Sequence, residues 1–261
     1  MLPNTKNLSL LLLLLMGQMM RIMSYDRGAN ERNAIPGLTF LGQALKWHRL
    51  DDGVMGGQSE TLHSFQSQDT TASADVDADA PQQPALHFTG QINTNGGGFC
   101  SIRSPIAMGT MPSTTAALRI RHVGDGKTYK FLMSDGNKST FGPSRRSPSW
   151  QVDLPTSKEG VEETSIVGLE SFVPSVMGGG GPRVVDRSGD DDIKQLDPTQ
   201  VSEMGFMLSL KLSNGQPNPV ETYGSGIFPF SLKILSIEPV SAVGEVVSDC
   251  DAGKNDSECK L

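Results

Sequence analysis

Cysteine is scarce: Cys100, Cys250 and Cys259 are the whole complement of a 261-residue chain. Cys250 and Cys259 are spaced for a small disulfide loop on a secretory route, and both would be free in a reducing compartment. No histidine lies near them to complete a zinc site. The four histidines, His48, His63, His87 and His122, are scattered without H-x-H or H-E-x-x-H spacing, which excludes the common metal motifs. There is no G-x-S-x-G elbow, so serine hydrolysis has no support. Positive charge is also short: 22 Lys and Arg stand against 29 Asp and Glu, a formal net charge of −7. No basic stripe interleaved with aromatics is present to neutralise phosphates, which argues against a nucleic-acid surface. The longest apolar run, within residues 8–23, falls short of the roughly 20 residues that cross a bilayer.

What the chain has in quantity is turn formers. With 29 glycines, 16 prolines and 36% hydrophobic residues, it reads as many turns around a modest core, not as a helical bundle. Leu118 and Ile120 alternate with Arg119 and Arg121, the period of a half-buried strand. Phe230, Leu232 and Ile234 alternate with Ser231 and Lys233 until Leu235 shifts the phase, as at a β-bulge. Further strands are expected at 61–65, 85–92, 99–103, 129–133, 150–154 and 204–212, with a helical turn at 198–204 behind an Asp197 cap. Short strands joined by Gly- and Pro-rich connections predict an all-β chain: a single β-sandwich or jelly roll over residues 36–241. Segments 66–83, 138–149 and 178–192 read as poorly ordered surface loops, and 242–261 as a polar, flexible tail. Residues 1–35 read as a short helical leader and a removable targeting peptide. Its leucine block resembles a secretory h-region and also permits a plastid route. Arg21, Arg27 and Arg32, with no acid before Asp26, resemble a mitochondrial presequence.

The most informative stretch is Asp51-Asp52-Gly53-Val54-Met55-Gly56-Gly57-Gln58-Ser59, which follows Trp47 closely. Glycines so dense mark a turn through positive φ or a close approach of the backbone to another group. Asp51 and Asp52 have two readings. They accept backbone N–H bonds from the 53–59 turn, or they act as acid, base or ligands of a hard cation. Adjacent residues of a strand face opposite ways, so a shared site needs a distorted backbone. Asn95-Gly96-Gly97-Gly98 lacks the lysine and following helix of a phosphate loop and reads as a bulge or tight hairpin. Gly124-Asp125-Gly126 reads as a hairpin turn. Across it, Arg119, Arg121 and Lys130, together with Arg103, suggest a basic face for an acidic partner segment or a sugar-like ligand, or else a solvated sheet face. Trp47 and Trp150 are core or rim aromatics; an exposed one would stack on a sugar or anchor a protein.

Six segments, in order, resemble the complex I intermediate-associated protein 30 family. The block at 51–59 is similar to its D-D-x-V-M-G-G-x-S run. Asn95-Gly96-Gly97-Gly98-Phe99-Cys100-Ser101-Ile102-Arg103 resembles N-G-G-F-x-S-x-R, and 118–131 resembles L-R-x-R…G-D-G-x-x-Y. Trp150-Gln151-Val152-Asp153-Leu154-Pro155, then Phe172-Val173-Pro174 with 193–206, and finally 228–234 complete a match over about residues 40–240. The resemblance implies a galactose-binding-like jelly roll that acts without catalysis, metal or cofactor. It implies a mitochondrial, chaperone-like factor that assists assembly of complex I (NADH:ubiquinone oxidoreductase). Its partners would be protein subunits, assembly intermediates and other assembly factors, not nucleic acid, and it would have no stable transmembrane span. A jelly-roll module that binds carbohydrate or another small polar ligand is the alternative. Expected contact residues are Asp51, Asp52, Met55, Arg103, Arg119, Arg121, Lys130 and Trp150. Gly53, Gly56, Gly57, Asn95, Gly96, Gly97 and Asp125 are expected to build turns.

Overall fold

The period-two patterns fold into strands, fifteen of them among the described residues, which are 38–62, 64–66, 85–136, 148–157, 160–178, 181–184 and 195–241. The structure is a computed structural model, and all described residues belong to one compact unit, Pro36–Leu261. The strands are β1 (Thr39–Phe40), β2 (Gln43–Ala44), β3 (His48–Arg49), β4 (Glu60–Thr61), β5 (Ser64–Gln66), β6 (Ala85–Asn93), β7 (Phe99–Pro105) and β8 (Thr115–Val123). There follow β9 (Thr128–Ser134), β10 (Ser149–Pro155), β11 (Glu162–Gly168), β12 (Val173–Gly178), β13 (Gly181–Val184), β14 (Glu203–Ser209) and β15 (Ile227–Ser241).

Two antiparallel sheets face each other. One is seven-stranded in the order β13-β12-β10-β9-β14-β7-β3, and the other is six-stranded, β11-β8-β15-β6-β4 with β5 also on β6. Alternate residues supply the core between them: Phe88, Ile92, Leu118, Ile120, Leu232 and Ile234 from the smaller sheet, and Ile102, Phe131, Met133, Trp150, Met204, Phe206 and Leu208 from the larger. Phe88 meets Phe230 edge-on at 4.8 Å between centroids, and Phe131 meets Phe206 at 5.1 Å. Such aromatic pairs supply both buried area and fixed geometry. The expected phase shift in the last strand occurs as a register break between Ile234 and Ser236. An all-β sandwich is what the sequence predicts and what the chain forms.

Several expectations need correction. The helical turn is a 3-10 turn of Pro198–Gln200, capped by Asp197, whose carboxylate accepts from Thr199 N at 2.9 Å; Met204 already belongs to β14. That strand ends at Ser209, short of the expected residue 212. The glycine-rich start of 178–192 is no loose loop: Gly178 pairs with Gly181, and β13 continues the hairpin to Val184. Ser149 opens β10, so the loop expected over 138–149 ends earlier. The leader, segments 67–84 and 137–147, His63, Cys250, Cys259 and the tail lie outside the described residues.

Gly124-Asp125-Gly126 is the most consequential correction. It is not a hairpin turn but a corner that carries the chain from one sheet to the other. β8 pairs with β11 and β15, whereas β9 pairs with β10 and β14. Asp125 holds the corner, accepting from Ser231 N of β15 at 2.9 Å and from Tyr129 Oη of β9 at 3.0 Å, with Lys127 Nζ at 3.2 Å. A carboxylate that satisfies donors on both sheets is costly to remove, because the buried phenol of Tyr129 is left without an acceptor. Asp125→Ala is expected to lower unfolding free energy by about 1–3 kcal/mol, read from urea denaturation against the parent chain.

Candidate functional site

The first half of the site is built around Asp52. Residues 52–55 form a 3-10 turn that ends on Gly56 at φ +87°. The turn directs the Asp52 carboxylate inward, where it is fully buried. Oδ1 accepts from Ser59 N at 2.9 Å, while Oδ2 accepts from Ser59 Oγ at 2.6 Å, Gly98 N at 2.6 Å and Phe99 N at 3.3 Å. Ser59 Oγ in turn accepts from Asn93 N of β6 at 3.0 Å. The carboxylate therefore joins the 52–59 turn to the 95–98 turn and to strands of both sheets. A Cβ on Gly57 would stand 2.2 Å from Asp52 Cγ, and one on Gly97 would stand 2.2 Å from Oδ2. Here glycine is required by close approach. Asp51 points elsewhere, accepting from Thr61 N at 3.0 Å and from Thr61 Oγ1. The two aspartates share no site, and the backbone-accepting reading is the one their contacts support.

The second half is a groove of about 330 Å³ on the outer face of the seven-stranded sheet. Residues that point away from the core line it: Phe99 and Arg103 of β7, Lys130 of β9, Ser149 and Gln151 of β10, Ser175 of β12, and Met207 and Ser209 of β14. Leu210 and Lys211 follow β14, while Met55, Gly97 and Gly98 arrive from the Asp52 assembly. Met55 and Leu210, 58% and 43% exposed, form apolar lips.

Arg103 of β7 lies across the neighbouring strand β14. A Cβ on Gly205 would come within 2.4 Å of Arg103 Cδ and 3.2 Å of its Nε, so the absent side chain makes room for the guanidinium stem. Its Nη1 donates to Glu203 Oε1 at 3.0 Å, but the buried Nε has no partner among the described residues, and neither does Ser149 Oγ. Lys130 is buried, with Nζ donating to Gln151 Oε1 at 3.1 Å. Removal from water pushes the Lys130 ammonium down to about 8; Asp153 opposes the shift and Lys211 adds to it. His48, opposite Arg103 on the edge strand, is also lowered by burial, which Glu203 partly offsets.

The remaining sequence candidates lie apart. Arg119 and Arg121 belong to β8 in the other sheet and face its outer side. Arg119 Nη1 is 3.6 Å from Glu238, and Arg121 Nη2 is 2.6 Å from Glu162. The corner at Asp125 explains the separation from Lys130, because the two strands never pair. Trp150 is 1% exposed and sits in the core, as does Trp47 at 7%, so neither offers a stacking platform. Strand parity directs Trp150 inward, while Trp47 lies in the segment just before β3. Gly96 adopts φ +81°, and Asn95 N donates to Asn93 Oδ1 at 2.9 Å, so both belong to the 95–98 turn. Gly53 is exposed, with open space where a Cβ would stand, so no contact there demands glycine. The sequence reading missed Gln151, Glu203, Gly205, Met207, Ser209, Leu210 and Lys211. Their outward strand parity was a signal, but only sheet order brings them together. Among the described residues no cluster of His, Cys, Asp or Glu is arranged to hold a metal, and no helix is long and apolar enough to cross a membrane.

Residues 39–234 match the family described as Complex I intermediate-associated protein 30 (CIA30). The chain belongs to that family. Comparison with curated proteins gave no match. Among solved structures, the chain is similar to the family 11 carbohydrate-binding module of cellulosomal cellulase Lic26A-Cel5E of Clostridium thermocellum, at 14% identity and TM-score 0.42, with 77% of this chain and 93% of that one covered. It is also similar to an exo-beta-agarase, at 10% identity and TM-score 0.32, covering 74% of this chain and 23% of that one. At such distances, what those proteins bind carries no weight for this member of the complex I intermediate-associated protein 30 family.

Two outcomes follow for the site. Asp52→Asn should destabilise nearly as much as Asp52→Ala, by about 3 kcal/mol, because an amide cannot accept at both oxygens and leaves buried N–H groups stranded; thermal and urea melts of both variants test this. Lys130→Met should instead stabilise the fold by on the order of 1–3 kcal/mol at about pH 7, since it removes a buried ammonium. The sign with pH is fixed. Between about 8 and the usual lysine value the unfolded chain holds the proton and the folded chain does not, so the parent protein gains stability as pH rises. The advantage of Lys130→Met is therefore full below about pH 8 and shrinks above it, as denaturation at stepped pH will show.

Proposed function

We propose that this protein is a non-catalytic, chaperone-like assembly factor that binds an intermediate of a membrane respiratory complex, mitochondrial complex I in the first instance, and leaves when the subunits join. Family membership supports the client. The observation that carries the mode of action is the Asp52 carboxylate: the most chemically suggestive group of the signature is consumed by four hydrogen bonds within the fold. Its role is to position the groove wall, which leaves surface complementarity as what the motif delivers. A transient client needs only micromolar affinity, about 8 kcal/mol. The partners are protein subunits, assembly intermediates and other assembly factors, and the site of action is the mitochondrion.

The carbohydrate-binding reading is the weaker one. A sugar site is served by an aromatic floor, and both tryptophans are in the core. Phe99 is the aromatic side chain that lines the groove, between Met55, Met207 and Leu210. Sulfur and aliphatic side chains of this kind adapt to protein segments. Removing the protein from cells should lower the amount of assembled complex I while subunit synthesis continues, measured by native gel electrophoresis alongside pulse labelling. Re-expression should restore the complex. Normal complex levels in the absence of the protein would overturn the proposal.

A further inference from the structure

We propose that the groove on the seven-stranded sheet binds a carboxylate-bearing, otherwise apolar segment of a partner polypeptide, with the acidic side chain seated between Arg103 and Lys130. The proposal rests on the reading of the protein as a binding factor and names what that factor recognises. Three observations converge. The first is a surplus of donors. Among the described residues, Arg103 Nε and Ser149 Oγ are buried without partners, and the Lys130 ammonium, which carries three N–H groups, donates to Gln151. A buried donor without a partner is a standing penalty that an acceptor relieves, and a carboxylate offers two oxygens.

The second is charge. Arg103, Lys130 and Lys211 face the groove in a chain whose formal net charge is −7. Two acids stand nearby: Glu203 is bonded to Arg103, and Asp153, opposite Lys130, accepts from Ser213 N through Oδ1 at 2.8 Å. Arg103 is paired, as Arg119 and Arg121 of the other sheet are with Glu238 and Glu162, but Lys130 and Lys211 form no ion pair among the described residues. The third is the wall. Met55, Phe99, Met207 and Leu210 demand an apolar neighbour on either side of the anion, which a free inorganic ion does not supply. The opening at Gly205 lets the Arg103 side chain cross β14, and Lys130 stands on the far side of that strand two positions along, opposite Met207.

Burial pushes the Lys130 ammonium down to about 8, and an arriving carboxylate favours its charged form. The groups that face Lys130 are Gln151 and Asp153 of β10, Met207 of β14 with Lys211 beyond it, and Arg103 with Glu203 further along. Of these, Lys211 opposes protonation and Asp153 favours it. Binding should therefore take up protons at about pH 8 and weaken as pH rises further.

The test uses the full chain and two end-capped, fluorescently labelled peptides that differ by one atom group: leucines flanking a single glutamate, and the same peptide with glutamine. Anisotropy titration at about pH 7 should give the glutamate peptide an advantage of about tenfold. Lys130→Met should abolish that advantage, and Lys211→Met, at an exposed position, should reduce it. Lys233→Gln, on the outer face of the opposite sheet, should leave it unchanged. Equal binding of the two peptides, no binding of either, or displacement of the glutamate peptide by cellotetraose would overturn the proposal. Client capture that survives loss of peptide binding in Lys130→Met would overturn the groove assignment and leave the assembly role standing. Peptide binding as expected, with complex I unaffected by removal of the protein, would do the reverse.

Discussion

A single buried carboxylate organises this molecule. Asp52 collects donors from Ser59 and from Gly98 and Phe99, which lie far from it in sequence. Charge-assisted bonds of this kind are the stronger class, and in a dry site their loss is felt in full. Through Ser59 and Asn93 the same carboxylate reaches β6 of the six-stranded sheet, while through Phe99 it reaches the start of β7 in the other. Asp125 does similar work at a second corner. The two sheets are thus joined by polar ties as well as by the aromatic core between them.

That arrangement explains why a signature rich in glycine and acid lies beside a groove and not inside one. The carboxylate faces the protein, and Met55 at the other end of the turn faces out. Gly57 and Gly97 pack directly on the carboxylate, so the two turns approach closely and their far edges become one wall of the groove. The acidic chemistry visible in the motif acts on the fold, and the groove beside it combines motif residues such as Met55, Phe99 and Arg103 with Met207, Ser209 and Lys211 from outside the signature.

Strands were legible where apolar residues recur between turn signals. β6, β7, β9 and β10 lie within one or two residues of the runs that announce them, although β9 is buried on both faces over Tyr129–Met133. β11 was not legible, because it is an edge strand whose Glu162, Glu163, Thr164 and Ser165 leave little hydrophobic contrast, with Val167 the residue it buries. The hairpin read at Gly124-Asp125-Gly126 failed for a different reason. A local Gly-Asp-Gly signal reports a turn, but whether the chain returns along its own sheet depends on Ser231, about a hundred residues away. In the same way, the sequence indicated that Asp52 accepts backbone bonds but placed them all in its own turn. Strand parity directs Trp150 into the core and Lys130 out of it, yet the sequence reading carried both as contact residues, Lys130 across an expected hairpin and Trp150 as an aromatic of the core or rim. Long-range pairing sets the site, and one sequence carries no direct record of it.

Gly98 has a consequence of its own. Its N–H is held by Asp52, while its carbonyl accepts from Tyr223 Oη at 2.5 Å and from Leu210 N at 3.1 Å. Leu210 also packs where a Gly98 side chain would stand. One peptide group in the groove wall is therefore gripped on both sides, and the lip formed by Leu210 is fastened to it. An ordinary surface loop loses conformational freedom when a partner arrives, and that loss subtracts from affinity. Here the freedom is surrendered during folding, so even a small number of contacts with a short segment can register as binding.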